Sequence, residues 1–402
     1  MPRGRSTITL IAVAVFAFYL GSLLQFHWGG FAPSWVKAAL FYQPPKSDID
    51  YAALGEVFTT IHDHYINPNT DGVKLTEGAA SGMVSALGDQ FSRYLTPDQY
   101  KANQTFLAGS FAGIGASVLQ KGDQIQIASV MPGTPAERDG LKVGDVILAV
   151  DGQSTKGWTA DDAVNHIRGK AGTHVKLRLD RGGQQLDVDL VREIITVPSV
   201  ATHVFDHRVL YVRVFEFGDR TAAEFDQALK DNLKGPVDLV VLDLRDNPGG
   251  FVDAANDVIS EFVKSGTSTV LVQRAGKEEV KTVTGTGRAF TNRLVVLLNE
   301  NSASAAEITA GAIKDHGRAT LVGVKSFGKG SVQEDFLLRD GDLHLTIAHW
   351  LTPNRHSIDK TGITPDRVVT LAKSTDEYAV DQTPNAFAQD TQLTAALALV
   401  ES

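Results

Sequence analysis

An uncharged apolar run opens the chain. It extends over residues 7–24 and directly follows two arginines, Arg3 and Arg5. A run of about 18 apolar residues is close to the length that crosses the hydrocarbon core of a bilayer. Because arginines are retained on the inner side, the rest of the chain is expected on the far side of the membrane. We therefore predict a signal anchor over residues 1–30, followed by a tether over residues 31–48.

A cleaved signal peptide is the alternative interpretation of this run. Such a peptide ends in small residues of the Ala-x-Ala type. The sequence has no such motif between the apolar run and Lys37, so an uncleaved anchor is preferred.

The hydrophobic spacing changes several times after the tether. Residues 49–104 repeat apolar positions at helical intervals, whereas residues 105–196 form short β-like runs between glycine turns, with one helical stretch. From residue 197 to 372, buried strand-like runs alternate with amphipathic helical stretches, which is typical of α/β layering. The tail, residues 373–402, is polar and alanine-rich, with helical spacing only over 393–400. The pattern predicts an α/β multidomain protein.

Composition excludes several kinds of chemistry. The chain has 402 residues, of which 43% are hydrophobic and 21% charged, so it can form more than one globular core. A net charge of -9 gives no general basic surface and no support for a nucleic-acid partner. The absence of cysteine excludes disulfides, thiolate zinc sites and cysteine nucleophiles. We expect no metal and no cofactor.

The first candidate for chemistry lies at Asp246-Asn247-Pro248-Gly249-Gly250, between a buried strand and a helix. The first amides of a helix have no partner within the helix. Gly249 or Gly250 could therefore donate to a developing oxyanion. A tight structural loop is the alternative interpretation.

The second candidate is Ser304, at the corner between an apolar run and a helical pattern. Together with Glu307 it fits a capping box, in which the serine only closes the end of the helix. The same place also suits a nucleophile, because the amide of Ala305 and the helix dipole lie where negative charge would develop. Ser302 is a second serine that composition does not exclude.

A serine nucleophile needs a base, and Lys329 is the third candidate. None of the eleven histidines lies in a recognisable histidine-serine motif, and no Gly-x-Ser-x-Gly sequence surrounds Ser304. Lys329 lies between two glycines, which would let the backbone carry it into an interior. Burial would have to lower the lysine pKa from about 10.4 towards neutrality. Gln333, four positions on, could then orient the amine.

Residues 105–196 resemble a PDZ domain. The resemblance rests on the glycine-rich sequence 111–116, on the run from Pro135 to Ile147, and on Asp151-Gly152. It implies a groove that captures an extended peptide by strand addition and holds its terminal carboxylate on loop amides. The implied carboxylate loop is Gly113-Ile114-Gly115.

The PDZ resemblance also implies a pocket for an apolar last residue. Ile114, Val164 and Ile167 would line it, and ordinary core packing is the alternative for all three. Arg168 follows the helix of the groove. We hypothesise that it relays peptide occupancy, although an arginine at a helix end is commonly a dipole partner.

The ordered set of corner motifs resembles the carboxy-terminal processing, or tail-specific, serine peptidases. The motifs are Asp246 to Gly250, Asn301 to Glu307, Gly317 to Ala319 and Ser326 to Gln333, with further matches at 351–358 and 361–366. The resemblance covers roughly residues 51–371. It implies that Ser304 is the nucleophile, Lys329 the base and Gln333 the orienting residue. The implied oxyanion hole is the amide of Ala305 with that of Gly249 or Gly250.

The resemblance also carries a function and a setting. It implies a crotonase-like α/β core in an endopeptidase that cleaves exported proteins with apolar C-terminal tails. We expect it in the inner membrane of a bacterium, as a single-pass protein whose catalytic part lies in the periplasm or extracytoplasmic space. A homo-oligomer and an adaptor protein are further expectations. The segment Gly88 to Leu95 departs from the family pattern, as does His349-Trp350, which leaves substrate preference open.

Two alternatives from other classes remain. A non-enzymatic PDZ scaffold could be built on a peptidase fold, but it would be free to lose Ser304, Lys329 or Gln333, and all three are present. An acyl-CoA enzyme of the crotonase type would need a cytoplasmic setting, which the apolar run 7–24 argues against.

Overall fold

The computed structural model describes residues 50–206, 208–373, 376–378 and 386–400. The predicted anchor and tether, residues 1–48, lie outside these ranges. Within the described ranges, no helix is both long enough and apolar enough to cross a membrane.

The described residues divide into two compact units. The first combines residues 50–100 with residues 333–347, and the second combines residues 101–332 with residues 348–400. The helices are α1 (Tyr51–His64), α2 (Gly72–Ser85), α3 (Pro97–Leu107), α4 (Pro135–Arg138), α5 (Ala160–Ile167), α6 (Thr221–Asn232), α7 (Val252–Ser260), α8 (Ala305–Asp315) and α9 (Thr391–Leu397). The strands are β1 (Arg93–Leu95), β2 (Ser110–Gly113), β3 (Ala116–Lys121), β4 (Gln124–Val130), β5 (Val146–Val150), β6 (Gln153–Ser154), β7 (His174–Arg181), β8 (Gln184–Val191), β9 (Glu193–Thr196), β10 (Val200–Phe205), β11 (Val209–Val214), β12 (Leu239–Asp243), β13 (Thr267–Gln273), β14 (Glu278–Thr282), β15 (Arg293–Leu298), β16 (Thr320–Gly323), β17 (Ser331–Leu338), β18 (Gly341–Leu351) and β19 (Arg367–Val368).

The first unit joins helices from the start of the chain to a hairpin from much later. Asp50 and Asp71 cap α1 and α2, each accepting two backbone N–H bonds of the first turn. Strand β1 pairs antiparallel with β18, so that Tyr94 lies opposite Leu343. This pairing across 250 residues of sequence was not predicted, because β1 is too short to show a period.

The β-rich block lies in the second unit and forms two sheets. One has the order β3-β4-β5-β7-β8, with β6 on β5, and the other pairs β2 with β9. Alternation along β7 explains its place, since Val175, Leu177 and Leu179 are buried while the residues between them are exposed. The predicted helical stretch 160–167 is α5.

The α/β core is built on a six-stranded sheet. Its order is β10-β11-β12-β15-β16-β19, and every pair from β11 onward is parallel. Strands β11 and β12 are buried at every position, which explains why they read as continuous apolar runs. The register places Asp243 opposite Leu297, so the corners after β12 and β15 leave the sheet side by side. The predicted α/β content is confirmed.

The tail packs on this sheet. Tyr378, Leu393, Ala396 and Leu399 join one hydrophobic cluster with residues of β11, β12 and β15. The helix expected over residues 393–400 begins at Thr391 and ends at Leu397. Asp390 caps it by accepting the N–H of Leu393.

Candidate active site

Ser304 occupies a strained corner at the start of α8. Its backbone has φ 54° and ψ -116°, whereas an ordinary N-cap residue is extended with negative φ. A non-glycine residue in this region costs about 1–3 kcal/mol and persists only where the surroundings hold it there. Ser304 is half-buried, and the helix behind it is fully buried from Ala305 to Ile313. The capping box of Ser304 and Glu307 that the sequence suggests is present, but it is built on a strained backbone that an ordinary cap does not have.

Ser302 has a structural role. Its side chain is fully buried, and its hydroxyl donates to the carbonyl of Leu244 at 2.8 Å. The same hydroxyl accepts the N–H of Asn299 at 3.0 Å. Ser302 therefore joins the corner after β12 to the corner after β15, and its oxygen is engaged on both sides.

Glu307 connects the serine corner to the lysine loop. Its carboxylate is fully buried and accepts the N–H of Ser304 at 3.0 Å and the N–H of Lys329 at 2.9 Å through one oxygen. The other oxygen accepts the Ser326 hydroxyl at 2.6 Å and the N–H of Gly328 at 2.7 Å. The sequence suggested only a capping residue here. In the structure one carboxylate fixes both backbones, so Ser304 and Lys329 lie next to each other.

The loop around Lys329 is held on both sides. The carbonyl of Lys329 accepts the indole N–H of the buried Trp350 at 2.9 Å. A side chain at Gly328 would collide with the backbone at Gly362, and one at Gly330 would collide with Asp359. The flanking glycines thus allow a close approach of the 359–362 segment, and Lys329 itself is half-buried.

The loop over residues 246–250, here called the glycine corner, lies directly against Ser304. A Cβ on Gly249 would be 2.7 Å from Cβ of Ser304 and 2.9 Å from the amide nitrogen of Ala305. The N–H of Gly249 donates to Oδ1 of Asn247 at 2.8 Å. Of the two glycines that the sequence offers as oxyanion donors, Gly249 thus has its amide engaged, which favours Gly250 together with Ala305.

Asparagine side chains lock the two corners together. Asp246, also left-handed with φ 55°, accepts side-chain amides of Asn299 and Asn301, each at 2.8 Å. Burial raises the pKa of Asp246, but the bonds from Asn301 and Asn299 and the charge of Arg213 outweigh it and hold the pKa below its usual value. Asp246 is therefore ionised at neutral pH, and its carboxylate accepts both side-chain hydrogen bonds.

A buried ion cluster supports the glycine corner from behind. Arg245 is fully buried and binds Asp243 and Asp390, with 2.8 Å between its Nη1 and Oδ2 of Asp390. Burial raises the pKa of Asp243, but Arg245 more than offsets this, so the pKa is lowered. Sequence analysis missed the cluster, since no local pattern links Arg245 to a residue 145 positions later.

Gln333 belongs to the first unit, at the start of the β17–β18 hairpin. Its Nε2 donates to Oγ1 of Thr346 at 3.0 Å, and the residue is half-buried. Ser304, Lys329, Ala305, Gly249 and Gly250 all belong to the second unit.

The groove residues of the β-rich block have mixed roles. Gly113 ends β2 and pairs with Glu193, so only Ile114 and Gly115 lie between strands, which shortens the expected loop. Ile114 and Ile167 belong to the domain core, while Val164 is half-buried. A side chain on Gly115, at φ 78°, would collide with Thr134. Two core residues and one partly open residue therefore lie at the expected pocket.

Two arginines lie at the end of α5. The guanidinium of Arg168 lies 5.0 Å from the ring centre of Phe111, a cation-π distance. Arg192, which the sequence analysis did not single out, is buried and donates to the carbonyl of Ile167 at 2.7 Å. It caps the C-terminus of α5 and so fixes one wall of the groove. No group of metal-binding side chains occurs among the described residues.

Comparison with known proteins gives consistent matches. Residues 208–369 match the model of peptidase family S41, and residues 105–180 match the PDZ domain model. A protein of Staphylococcus aureus (strain MRSA252), described as a CtpA-like serine protease, is 38% identical over 314 residues, which cover 77% of this chain and 63% of that protein. A protein of Staphylococcus haemolyticus with the same description is 38% identical over 321 residues, covering 79% and 63%.

The chain thus spans 63% of the length of these relatives. Among solved structures, an S41 protease of Bacteroides fragilis aligns with a TM-score of 0.54 at 17% identity, covering 89% of this chain and 99% of that one. At that identity the likeness concerns the fold alone.

Proposed function

From the matches of residues 208–369 to peptidase family S41 and of residues 105–180 to the PDZ domain, we propose that the chain is a serine endopeptidase of the carboxy-terminal processing type. The observation that carries the proposal is the strained Ser304, tied to the lysine loop by Glu307 and packed against Gly249. A helix cap has no need of such strain. A nucleophile does, because the strain presents its oxygen beside the first amides of the helix.

The proposed reaction begins when the amine of Lys329, in its neutral form, takes the hydroxyl proton of Ser304. Oγ of Ser304 attacks the scissile carbonyl, and the amides of Ala305 and Gly250 hold the negative oxygen. The protonated lysine then gives its proton to the leaving amine, and the chain stays on Ser304 as an ester. A water molecule, deprotonated by the same lysine, then attacks this ester and releases the bound part of the substrate from Ser304. Gln333 orients the lysine amine through its amide.

Substrate choice is proposed to lie in the PDZ domain. An extended tail would add to β3, with its carboxylate at the amides of Ile114 and Gly115 and its last side chain near Val164. Exported proteins with apolar C-terminal tails are the proposed substrates. Membrane attachment through residues 1–30, an extracytoplasmic setting, an adaptor and self-association belong to the same proposal.

The direct test uses one protein substrate in two forms, ending either in apolar residues or in two aspartates. We expect the purified full-length chain to cleave the apolar form, and both Ser304→Ala and Lys329→Ala to lose at least about a thousandfold in kcat. Lys325→Ala, at an exposed lysine in the same loop, is the matched control. A folded Ser304→Ala variant with wild-type activity would contradict the proposal.

The scaffold alternative is settled by the same assay. A PDZ scaffold would bind the apolar tail and cleave neither form. The intact set of corners, with Ser302 structural and Ser304 strained, favours the enzyme.

A further inference from the structure

We propose that Asp89, Ser92 and Thr346 position Gln333 by setting which end of its amide faces Thr346, and that they are thereby needed for full turnover. The inference rests on the proposed function, in which Gln333 orients the base. All four residues belong to the first unit. They lie in the segment 88–95 that departs from the family pattern, and in the β17–β18 hairpin.

The contacts form a connected chain. Nε2 of Gln333 donates to Oγ1 of Thr346 at 3.0 Å. The N–H of Thr346 donates to Oγ of Ser92 at 3.0 Å, and that hydroxyl donates to Oδ2 of Asp89 at 2.6 Å. Oδ1 of Asp89 also accepts the N–H of Phe91 at 3.1 Å, which fixes the carboxylate in its turn.

The Ser92 hydroxyl extends a strand pairing. Backbone pairing between β1 and β18 begins at Arg93 with His344. One step before it, the side chain of Ser92 accepts the N–H of Thr346. Ser92 thus takes the place of a backbone carbonyl and holds β18 at the level of Gln333.

The charge of Asp89 sets the direction of the hydrogen bonds. Burial raises the pKa of Asp89, but bonds from the side chains of Ser92 and Thr346 and from backbone amides outweigh it and lower the pKa below its usual value. An ionised carboxylate only accepts hydrogen bonds. The hydroxyl of Thr346 is therefore a donor towards Asp89 and an acceptor towards Gln333.

The direction of the hydrogen bond between Thr346 and Gln333 decides which end of the Gln333 amide faces Thr346. An amide has a donor end and an acceptor end of nearly equal shape, and its partners determine which way it points. Since Oγ1 of Thr346 is an acceptor, it binds the NH2 end. The Oε1 end is turned away from Thr346, so that under the proposed function the amide would accept, not donate, a hydrogen bond towards the lysine amine. Without the carboxylate, Thr346 could donate instead, and the amide could reverse.

The experiment is a double-mutant cycle in the full-length protein. Asp89→Asn keeps the shape of the side chain but removes the charge and adds donors. We expect kcat for a chain with an apolar tail to fall about tenfold with KM unchanged, and the acid limb of the kcat–pH profile to move as it does in Gln333→Ala. In the Gln333→Ala background, Asp89→Asn should cause no further loss. Asp98→Asn, exposed in α3, is the matched control.

Substitutions of Thr346 form the second part of the experiment. Thr346→Ser keeps the hydroxyl and should retain wild-type kcat, whereas Thr346→Val removes it and should match Asp89→Asn. This pair decides the question if Asp89→Asn lowers the thermal midpoint too far to assay. Unchanged kcat in Asp89→Asn or Thr346→Val, or a loss that adds to that of Gln333→Ala, would overturn the inference. If Ser304→Ala is fully active, the proposed function itself fails. If Ser304→Ala is inactive but the losses of Asp89→Asn and Gln333→Ala add, only this inference fails.

Discussion

At the scale of single residues, the structure separates two serines that composition could not. The Ser302 hydroxyl donates a hydrogen bond to the carbonyl of Leu244 and accepts one from the N–H of Asn299. Ser304, by contrast, adopts a backbone conformation that an ordinary helix cap avoids. The resemblance to the tail-specific peptidases already favoured Ser304 in the sequence. The strain was not predictable, because it depends on how Glu307 fixes the turn.

Gly249 is a residue whose role changed. The sequence placed it in the oxyanion hole, but its amide donates to Asn247. Its absent side chain matters instead, since a Cβ would lie against Ser304 and the amide of Ala305. The hydrogen bond from the Gly249 amide depends on where the Asn247 side chain lies, and the sequence Asn-Pro-Gly-Gly does not show this.

We expect Gly249→Ala to lower kcat by about a hundredfold to a thousandfold, the cost of losing one oxyanion donor. The added methyl group would cover the Ala305 amide, and φ of 101° adds strain. Gly235→Ala, where a methyl group meets open space, is the control and should leave kcat unchanged. Wild-type turnover by Gly249→Ala would show that the Ala305 amide is not used.

At the scale of elements, the sequence predicts the buried parallel strands and also two strands over residues 332–338 and 343–349, which are β17 and β18. It does not predict the pairing of β18 with β1. Strands β11 and β12 are buried at all positions and show as apolar runs. Strand β18 mixes polar with apolar residues, including the fully buried Asp342. A carboxylate is normally a surface group, so the sequence did not predict that Asp342 is buried.

Asp342 predicts a pH dependence of stability. Burial raises its pKa from 3.8 to about 6, and the nearby Asp335, itself paired with His344, adds to the rise. Because folding raises this pKa, the contribution to stability is complete below about pH 3.8 and is lost as the pH rises through about 6. Above that pH a buried negative charge opposes folding.

Asp342→Asn should remove this dependence. We expect its thermal midpoint, relative to wild type, to increase between pH 4 and pH 7, with a difference in the free energy of unfolding of at most about 3 kcal/mol. Asp340→Asn, exposed in the same hairpin turn, should follow the wild type at every pH. A constant difference between Asp342→Asn and wild type across this range would contradict the assignment.

At the scale of the whole chain, residues far apart in sequence support the same corner. Arg245 precedes the glycine corner, and its partner Asp390 lies in the tail, where it also binds the N–H groups of Tyr378 and Leu393. From the sequence, the tail was predicted to be polar and alanine-rich with one short helix, and no contact with the glycine corner was expected. Its role was hidden because a single buried aspartate carries the connection, and such long-range ion pairs leave no periodic signal.

Asp390→Asn should therefore destabilise the protein strongly. Leaving a buried charge without a partner costs about 3–5 kcal/mol, which is an upper limit here because Arg245 loses Asp390 but keeps Asp243. The thermal midpoint reports the loss, and cleavage should fall with it as the glycine corner loses its support. Asp219→Asn, an exposed aspartate of the same unit, should leave both unchanged. A wild-type midpoint for Asp390→Asn would mean that Asp243 alone satisfies Arg245.

The central claim is that Ser304 becomes acylated during cleavage. The most direct measurement is a single turnover of a chain with an apolar tail, quenched in acid and followed by mass spectrometry of the digested enzyme. We predict an N-terminal product fragment joined as an ester to the peptide containing Ser304, absent in Ser304→Ala and still present in Ser302→Ala. An acyl group mapped to any other residue, or full turnover by Ser304→Ala, would contradict it.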